Sequence, residues 1–138
     1  MIENRSVPLA TIIPVLGYEE VAQASAWLCD TFGFKERLRI ASHRAQLVFG
    51  DGAVILTQRP AGQAFAADLA SHSVHVRVAD VDQHCAHARQ RGAKILQAPE
   101  SYPFGERQYT VVDLGGHRWT FSQSIADVAP EDWGGQLR

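Results

Sequence analysis

The sequence predicts an α+β fold in which a strand–helix–three-strand module (βαβββ) occurs twice. Strand-like and helix-like hydrophobic patterns follow each other in the same order in both halves of the chain. The acidic residues that open the two predicted helices, Glu20 and Asp80, lie 60 positions apart. The glycines that end these helices, Gly33 and Gly92, lie 59 positions apart. Such a repeat predicts that each module covers the sheet of the other, because one half alone cannot close a core.

The first module is predicted over residues 8–58. Its first strand covers residues 9–16, and Pro14 places that strand at a sheet edge because proline cannot donate to a neighbouring strand. A helix over residues 20–32 follows, with its apolar side chains on one face. Three strands complete the module: Lys35–Ile40, Ala45–Phe49 and Ala53–Gln58, the last two joined by a tight turn at Gly50-Asp51-Gly52.

The second module is predicted over residues 72–123, after an alanine- and glycine-rich connection over residues 59–71. It begins with a strand over residues 72–78. Asp80 caps the second helix, and Gln83 occupies the capping-box position. The remaining elements are a strand over 93–97, a loop over 99–106, strands over 108–113 and 118–123, and a polar tail over 124–138 that contains Trp133.

Composition predicts one globular domain over residues 1–138 in the cytoplasm. Hydrophobic residues make up 46% of the chain and charged residues 20%, which is typical of globular proteins. The net charge of −2 gives no basic surface of the kind that nucleic acids require. No apolar run approaches the roughly 20 residues of a membrane span, and no secretory leader is recognisable. Cys29 and Cys85 lack the spacing of a disulfide framework, which predicts free thiols in a reducing compartment.

Three stretches carry a family resemblance. Residues 18–34 contain the first helix and end in Phe-Gly-Phe, and residues 76–81 lead into the second helix. Residues 104–121 contain Gly-x-Arg, then Asp-x-x-Gly, then an alternating strand. Over about residues 8–123 the chain therefore resembles the vicinal oxygen chelate superfamily, which includes glyoxalase I, extradiol dioxygenases, fosfomycin-modifying enzymes and bleomycin resistance proteins. The resemblance implies two modules whose curled mixed sheets surround a cleft, and a homodimer.

The resemblance also implies where a metal would bind. Enzymes of the superfamily place a His or Gln in the first strand of a module and a Glu, His or Tyr in its last. The equivalent positions, counted from the start of each helix and from the last turn glycine, are Ile13, Leu56, Ser73 and Thr120. None supplies the imidazole, carboxylate or thiolate that a divalent metal needs. We therefore predict no metal and no other cofactor, as in the bleomycin-resistance-like branch.

Eight residues are predicted to line a ligand site in that cleft: Phe49, Ser73, His75, Tyr102, Phe104, Tyr109, Arg118 and Thr120. His75 is a proton shuttle, a donor that orients the ligand, or an ordinary core histidine bonded to a neighbour. Arg118 either meets an anionic or carbonyl group of the ligand or is a solvated charge. Aromatic residues in the long loop favour an apolar ligand. Arg107 and Asp113 are expected to brace the penultimate strand as a structural pair, and contact with the ligand is the alternative.

These observations predict a protein that binds a small, flat and partly aromatic molecule without metal catalysis. By analogy with antibiotic-binding relatives, the expected role is antibiotic resistance through sequestration. Two alternatives stay open. One is a lyase, isomerase or dioxygenase of the same fold with a displaced site, in which His75 is the candidate catalytic base. The other is an interaction module that binds no small ligand.

Overall fold

The computed structural model describes residues 2–60 and 72–138, and these contain the predicted order of elements. The chain divides into two compact units, residues 1–66 and 67–138, each with one βαβββ module. The predicted α+β fold of two modules is therefore confirmed. The elements are β1 Val15–Tyr18, α1 Val21–Phe32, β2 Lys35–Ile40, β3 Arg44–Phe49, β4 Gly52–Gln58, β5 Val74–Arg77, α2 Val81–Gln90, β6 Lys94–Ser101, β7 Glu106–Val112, β8 Arg118–Ser124 and a 3-10 helix Pro130–Trp133.

The first unit is an open four-stranded sheet in the order β1-β4-β3-β2, with α1 on one face. β1 runs parallel to β4, and the other pairs are antiparallel. Pro14 lies immediately before β1, which is an edge strand as predicted. The strand is shorter than predicted, because residues 9–13 have no regular structure. α1 ends as predicted at Gly33, whose φ of 92° is in the left-handed region that favours glycine.

The second unit repeats this arrangement in the order β5-β8-β7-β6. β5 is parallel to β8, and the other pairs are antiparallel. The Asp80 side chain accepts a hydrogen bond from the Gln83 backbone N–H at 3.1 Å, so the predicted helix cap is confirmed. The core of this unit lies between α2 and the sheet and is built on large, fully buried side chains: Val81, Tyr109, Val111, Trp119 and Phe121.

The predicted loop over residues 99–106 is wrong in extent. β6 continues to Ser101 and β7 begins at Glu106, so only residues 102–105 connect the two strands. Pro99 is accommodated because β6 is an edge strand and its pairing with β7 shifts register between Gln97 and Glu100.

Most of the predicted connection over 59–71 lies outside the described residues. In the described part of the chain, no helix is long and apolar enough to cross a membrane. Cys29 is half-buried and Cys85 is buried, and both are free thiols.

Candidate functional site

The face of the second sheet opposite α2 carries polar side chains on all four strands. Tyr109 and Phe121 contact His84 of α2, so the positions that alternate with them face away from the helix. Strand pairing aligns these positions in two rows across the sheet. One row contains His75, Thr120, Thr110 and Gln97, and the other contains Arg77, Ser122, Gln108 and Glu100. These two rows, together with Glu106 and Arg118, form a surface that we call the polar face.

The polar face differs from an ordinary solvated sheet surface. Ser122 is fully buried, and Thr110, Thr120 and Arg118 are half-buried. The hydroxyl oxygens of Thr110 and Thr120 lie 3.4 Å apart across neighbouring strands. Burying polar groups costs free energy unless they find hydrogen-bond partners, so this surface is expected to interact with more than bulk water.

Glu106 is the acidic centre of the polar face. Its Oε1 accepts a hydrogen bond from the Ser122 hydroxyl at 2.8 Å. Its Oε2 is buried and has no hydrogen-bond partner of acceptable geometry among the described residues. Burial alone would raise the pKa of the Glu106 carboxyl, but the hydroxyls of Ser124 and Ser122 and the charges of Arg77 and His75 hold that pKa below its ordinary value. Glu106 is therefore ionised at neutral pH.

The structure brings together three of the predicted site residues. His75 and Thr120 are partners in the parallel pairing of β5 and β8. Arg118 lies two positions before Thr120 and so shares its face. Ser73 lies just before β5 and is exposed. His75 is also exposed, so it is not a core histidine.

Tyr102 and Phe104 lie next to the polar face. Their rings are stacked with centroids 5.3 Å apart and an interplanar angle of 10°. The Tyr102 hydroxyl contacts the side-chain amide of Gln97 and lies 3.4 Å from Glu100 Oε2. Trp133, on the 3-10 helix of the tail, contacts the Phe104 ring with centroids 5.2 Å apart. These three rings form a cluster beside β6 that we call the aromatic cluster.

The expectation that Tyr109 lines a ligand site is wrong. Tyr109 pairs with Phe121 in the sheet and points toward α2, where it is fully buried. Its hydroxyl lies 2.5 Å from His84 Nδ1, and burial raises the pKa of the Tyr109 phenol. Tyr109 is therefore a core residue.

Phe49 lies in the first unit and packs against the end of α1. The centroids of the Phe49 and Phe34 rings lie 5.3 Å apart. A Cβ placed at Gly33 would lie 3.7 Å from the nearest atom of the Phe49 ring. This contact gives Phe49 a packing role at the helix end, which the sequence pattern did not indicate.

One of the metal-equivalent positions was assigned to the wrong residue. The parallel pair His75–Thr120 of the second unit corresponds to Val15–Ile55 of the first, because β1 and β5 lie equally far before their helices. The equivalent of Thr120 is therefore Ile55. Leu56 is fully buried and its neighbours in the sheet form the core. A shift of one residue reverses the face of a strand side chain, which explains the error.

The corrected set still lacks metal donors. Ile55 is aliphatic like Leu56, and Ile13 lies two residues before β1 rather than within it. Over residues 2–60 and 72–138, no three or more His, Cys, Asp or Glu side chains are grouped so that they could hold a metal ion. The absence of a metal cofactor nevertheless stays a prediction.

The open face of the first sheet differs from the polar face. Val15, Ile55 and Gln46 lie in one row, and only Gln46 is polar. The Gln46 side chain is 4% exposed and donates to the Ser6 carbonyl at 2.8 Å, while Arg37 donates to the Arg5 carbonyl at 2.7 Å. The N-terminal segment is thus fixed against this face.

Sequence reasoning missed Glu106, Arg77 and Ser122. Glu106 was placed in a loop, where strand alternation gives no orientation. Once β7 is known to begin there, period two puts Glu106 on the face of Thr110. Arg107 lies on the other face and forms an ion pair of 3.0 Å with Asp82 of α2 instead of the predicted contact with Asp113. Arg107 and Asp113 lie at opposite ends of β7, too far apart to meet.

Comparison with known proteins places the fold in a family. A family model described as the Glyoxalase/Bleomycin resistance protein/Dioxygenase superfamily matches residues 12–121. TioX from Micromonospora sp. ML1 is 34% identical, with a TM-score of 0.70 over 83% of this chain and 98% of that chain. The fosfomycin resistance protein FosX from Listeria monocytogenes shares the fold at 13% identity, with a TM-score of 0.66 over 89% of this chain and 94% of its own.

Among curated proteins, uncharacterized proteins of Mycobacterium bovis and Mycobacterium tuberculosis are 34% identical over 56 residues, which is 41% of this chain. The match covers 37% and 33% of these relatives, so it spans about a third of their length. The family model covers most of the chain and agrees with the repeated modules and with the residues that carry the resemblance. The chain belongs to the glyoxalase/bleomycin resistance protein/dioxygenase superfamily.

Proposed function

We propose that the chain binds a small organic molecule on the polar face of its second sheet, without a metal. The observation that carries this proposal is the grouping of hydroxyl, imidazole, guanidinium and carboxylate side chains on one partly buried face. A few convergent polar groups next to aromatic side chains are typical of small-molecule sites.

The dimensions of the polar face support a ligand of drug size. Its rows cross four strands, and three strand spacings amount to roughly 14 Å. The flat part of the ligand would pack on Tyr102 and Phe104, gaining roughly 25 cal/mol per Å² of apolar area removed from water. His75 and Arg118 would set its orientation through hydrogen bonds.

The relatives support a role in antibiotic binding. The superfamily description includes bleomycin resistance proteins, and FosX is a fosfomycin resistance protein with the same fold. We propose sequestration of a flat, partly aromatic compound of this kind by a cytoplasmic homodimer.

A thermal-shift screen of flat aromatic compounds, with bleomycin and fosfomycin included, tests this function. A compound that binds only the folded chain at a hundredfold excess over its Kd adds about 2.7 kcal/mol of stability, which raises Tm by several degrees. If no compound raises Tm, the proposed function is wrong.

Variants then locate the binding site. His75→Ala and Arg118→Ala should each weaken binding about tenfold, the loss of one hydrogen bond of about 1.4 kcal/mol. His43→Ala is the matched control, because His43 is exposed in a turn of the first unit. Equal losses of affinity in all three variants would show that the ligand does not bind on the polar face.

Elemental analysis of protein purified without a histidine tag or chelator tests the absence of metal. The proposal expects near-zero zinc, nickel, iron, manganese and copper per chain. Near-stoichiometric metal that a chelator removes, together with an activity lost on its removal, would establish metal catalysis instead.

A metal-free proton-transfer enzyme is the second candidate. His75 acts electrostatically on Glu106, so the polar face combines an imidazole and a carboxylate, the groups used for general acid–base chemistry. NMR of a bound compound in D2O would separate the candidates. Deuterium exchange at an acidic C–H, abolished in His75→Ala, indicates an enzyme, whereas an unchanged spectrum indicates a binding protein.

A further inference from the structure

One carboxylate oxygen of Glu106 is buried without a hydrogen-bond partner of acceptable geometry among the described residues, although the Ser124 hydroxyl acts on the same carboxyl. Oε1 is used by Ser122, whereas Oε2 is buried without a partner of acceptable geometry. Within residues 2–60 and 72–138, no ion pair joins Glu106 to a cationic side chain. A buried carboxylate oxygen is strongly stabilised by a donor, and most strongly by a charged one.

The backbone of Glu106 adjoins the loop that carries two rings of the aromatic cluster. The Tyr102 backbone N–H donates to the Glu106 carbonyl at 2.8 Å, which fixes the start of the loop beside Glu106. The Tyr102 and Phe104 rings then stack on each other next to the polar face. A ring lying against Tyr102 or Phe104 would lie at the end of β7 that begins with Glu106.

We propose that the polar face selects a flat aromatic compound bearing an amine, with an N–H of that amine donating to Glu106 Oε2. This inference rests on the proposed function and names the chemical class of its ligand. Arg77 and His75 lie close enough to Glu106 to act on its charge, and Arg118 lies further along the face. A carboxylate ligand would instead be drawn to these basic groups. On this inference, we expect a cationic ligand to bind more tightly than an anionic one.

Isothermal titration calorimetry with two matched probes at pH 7 tests the inference. The probes are 1-naphthylmethylamine, which is cationic, and 1-naphthylacetate, which has the same ring and is anionic. The amine should bind wild-type protein at least tenfold more tightly than the acetate.

Glu106→Gln should lower the affinity for the amine at least tenfold, because the amide retains an acceptor for Ser122 and presents a donor in place of Oε2. Glu19→Gln, which removes an exposed carboxylate in the first unit, should change it less than twofold. If Glu106→Gln melts early, Glu106→Asp keeps the charge, withdraws the oxygen by one methylene and should also weaken amine binding.

The outcomes separate the inference from the proposed function. Amine preference lost in the Glu106 variants supports both. Equal binding of the probes, preference for the acetate, or amine binding that survives in both Glu106 variants overturns the inference and leaves the binding function standing. Failure of both probes to bind overturns the inference, and the proposed function then fails as well if the wider thermal-shift screen is also negative.

Discussion

Replacing Asp113 by alanine should destabilise the protein by about 3–5 kcal/mol, because three buried donors would lose one carboxylate. Asp113 is 5% exposed and opens the Asp-x-x-Gly turn between β7 and β8. Its Oδ1 accepts from the backbone N–H groups of Gly115 at 2.9 Å and His117 at 3.0 Å. Its Oδ2 accepts from the Trp119 indole N–H at 2.9 Å.

The magnitude follows from these three bonds. A hydrogen bond to a charged group contributes about 1.5–3 kcal/mol, but losses within one network are not additive and water reaches part of the turn. Asp113→Asn keeps one acceptor oxygen for the two backbone donors and turns an amide N–H toward the Trp119 indole. It should therefore lose about 1–3 kcal/mol.

Urea unfolding followed by circular dichroism and tryptophan fluorescence measures both variants. Asp51→Ala is the matched control, because Asp51 is exposed in the corresponding turn of the first unit and should stay within about 0.5 kcal/mol of wild type. A loss below about 1 kcal/mol for Asp113→Ala, or equal losses for the alanine and asparagine variants, would refute this account of the turn.

Three further predictions concern groups on or near the site. Because the pKa of Glu106 is lowered on folding, its ionisation stabilises the protein above the ordinary glutamate pKa of about 4.3. This stabilisation is lost as the pH falls through the folded pKa. Urea unfolding from pH 7 to pH 3 should therefore show Glu106→Gln less stable than wild type at pH 7, with a difference in stability that closes in acid. Gly105→Ala should release the tail, because Gly105 has a φ of 86° and a Cβ there would lie 2.3 Å from the Ala126 carbonyl oxygen. Amide hydrogen exchange at Ile125 should therefore become faster. Gly134→Ala is the control, because φ is also positive at Gly134 but a Cβ there would meet no atom within 4 Å. Tyr109→Phe should cost about 1 kcal/mol in urea melts through the lost contact with His84, and a cost near zero would show that this buried contact contributes nothing.

The repeated fold could be predicted because its signals are local. The Asp80 cap and the glycine after α1 are fixed by backbone geometry within a few residues, and both were found. The tight turn between β3 and β4 is likewise visible in the sequence, because Gly50 and Gly52 flank Asp51 at that point.

The candidate site was harder to predict because it depends on strand register. Glu106 begins β7, but the proline-containing segment before it led to the prediction of a loop there. Its hydrogen-bond partner Ser122 lies on the neighbouring strand. The errors at Leu56 and Tyr109 have the same physical origin, since alternation identifies two faces of a strand but not which face meets the helix. Pairing partners, which the sequence does not state, are needed to decide.

The most direct test of the central claim is an NMR titration of 15N-labelled protein with the compound that gives the largest thermal shift. Amide shifts should concentrate on β5, β7 and β8 around His75, Thr120 and Glu106, and on the loop over residues 102–105. Shifts confined to residues 2–60, or scattered without a centre, would contradict the assignment of the polar face as the binding site.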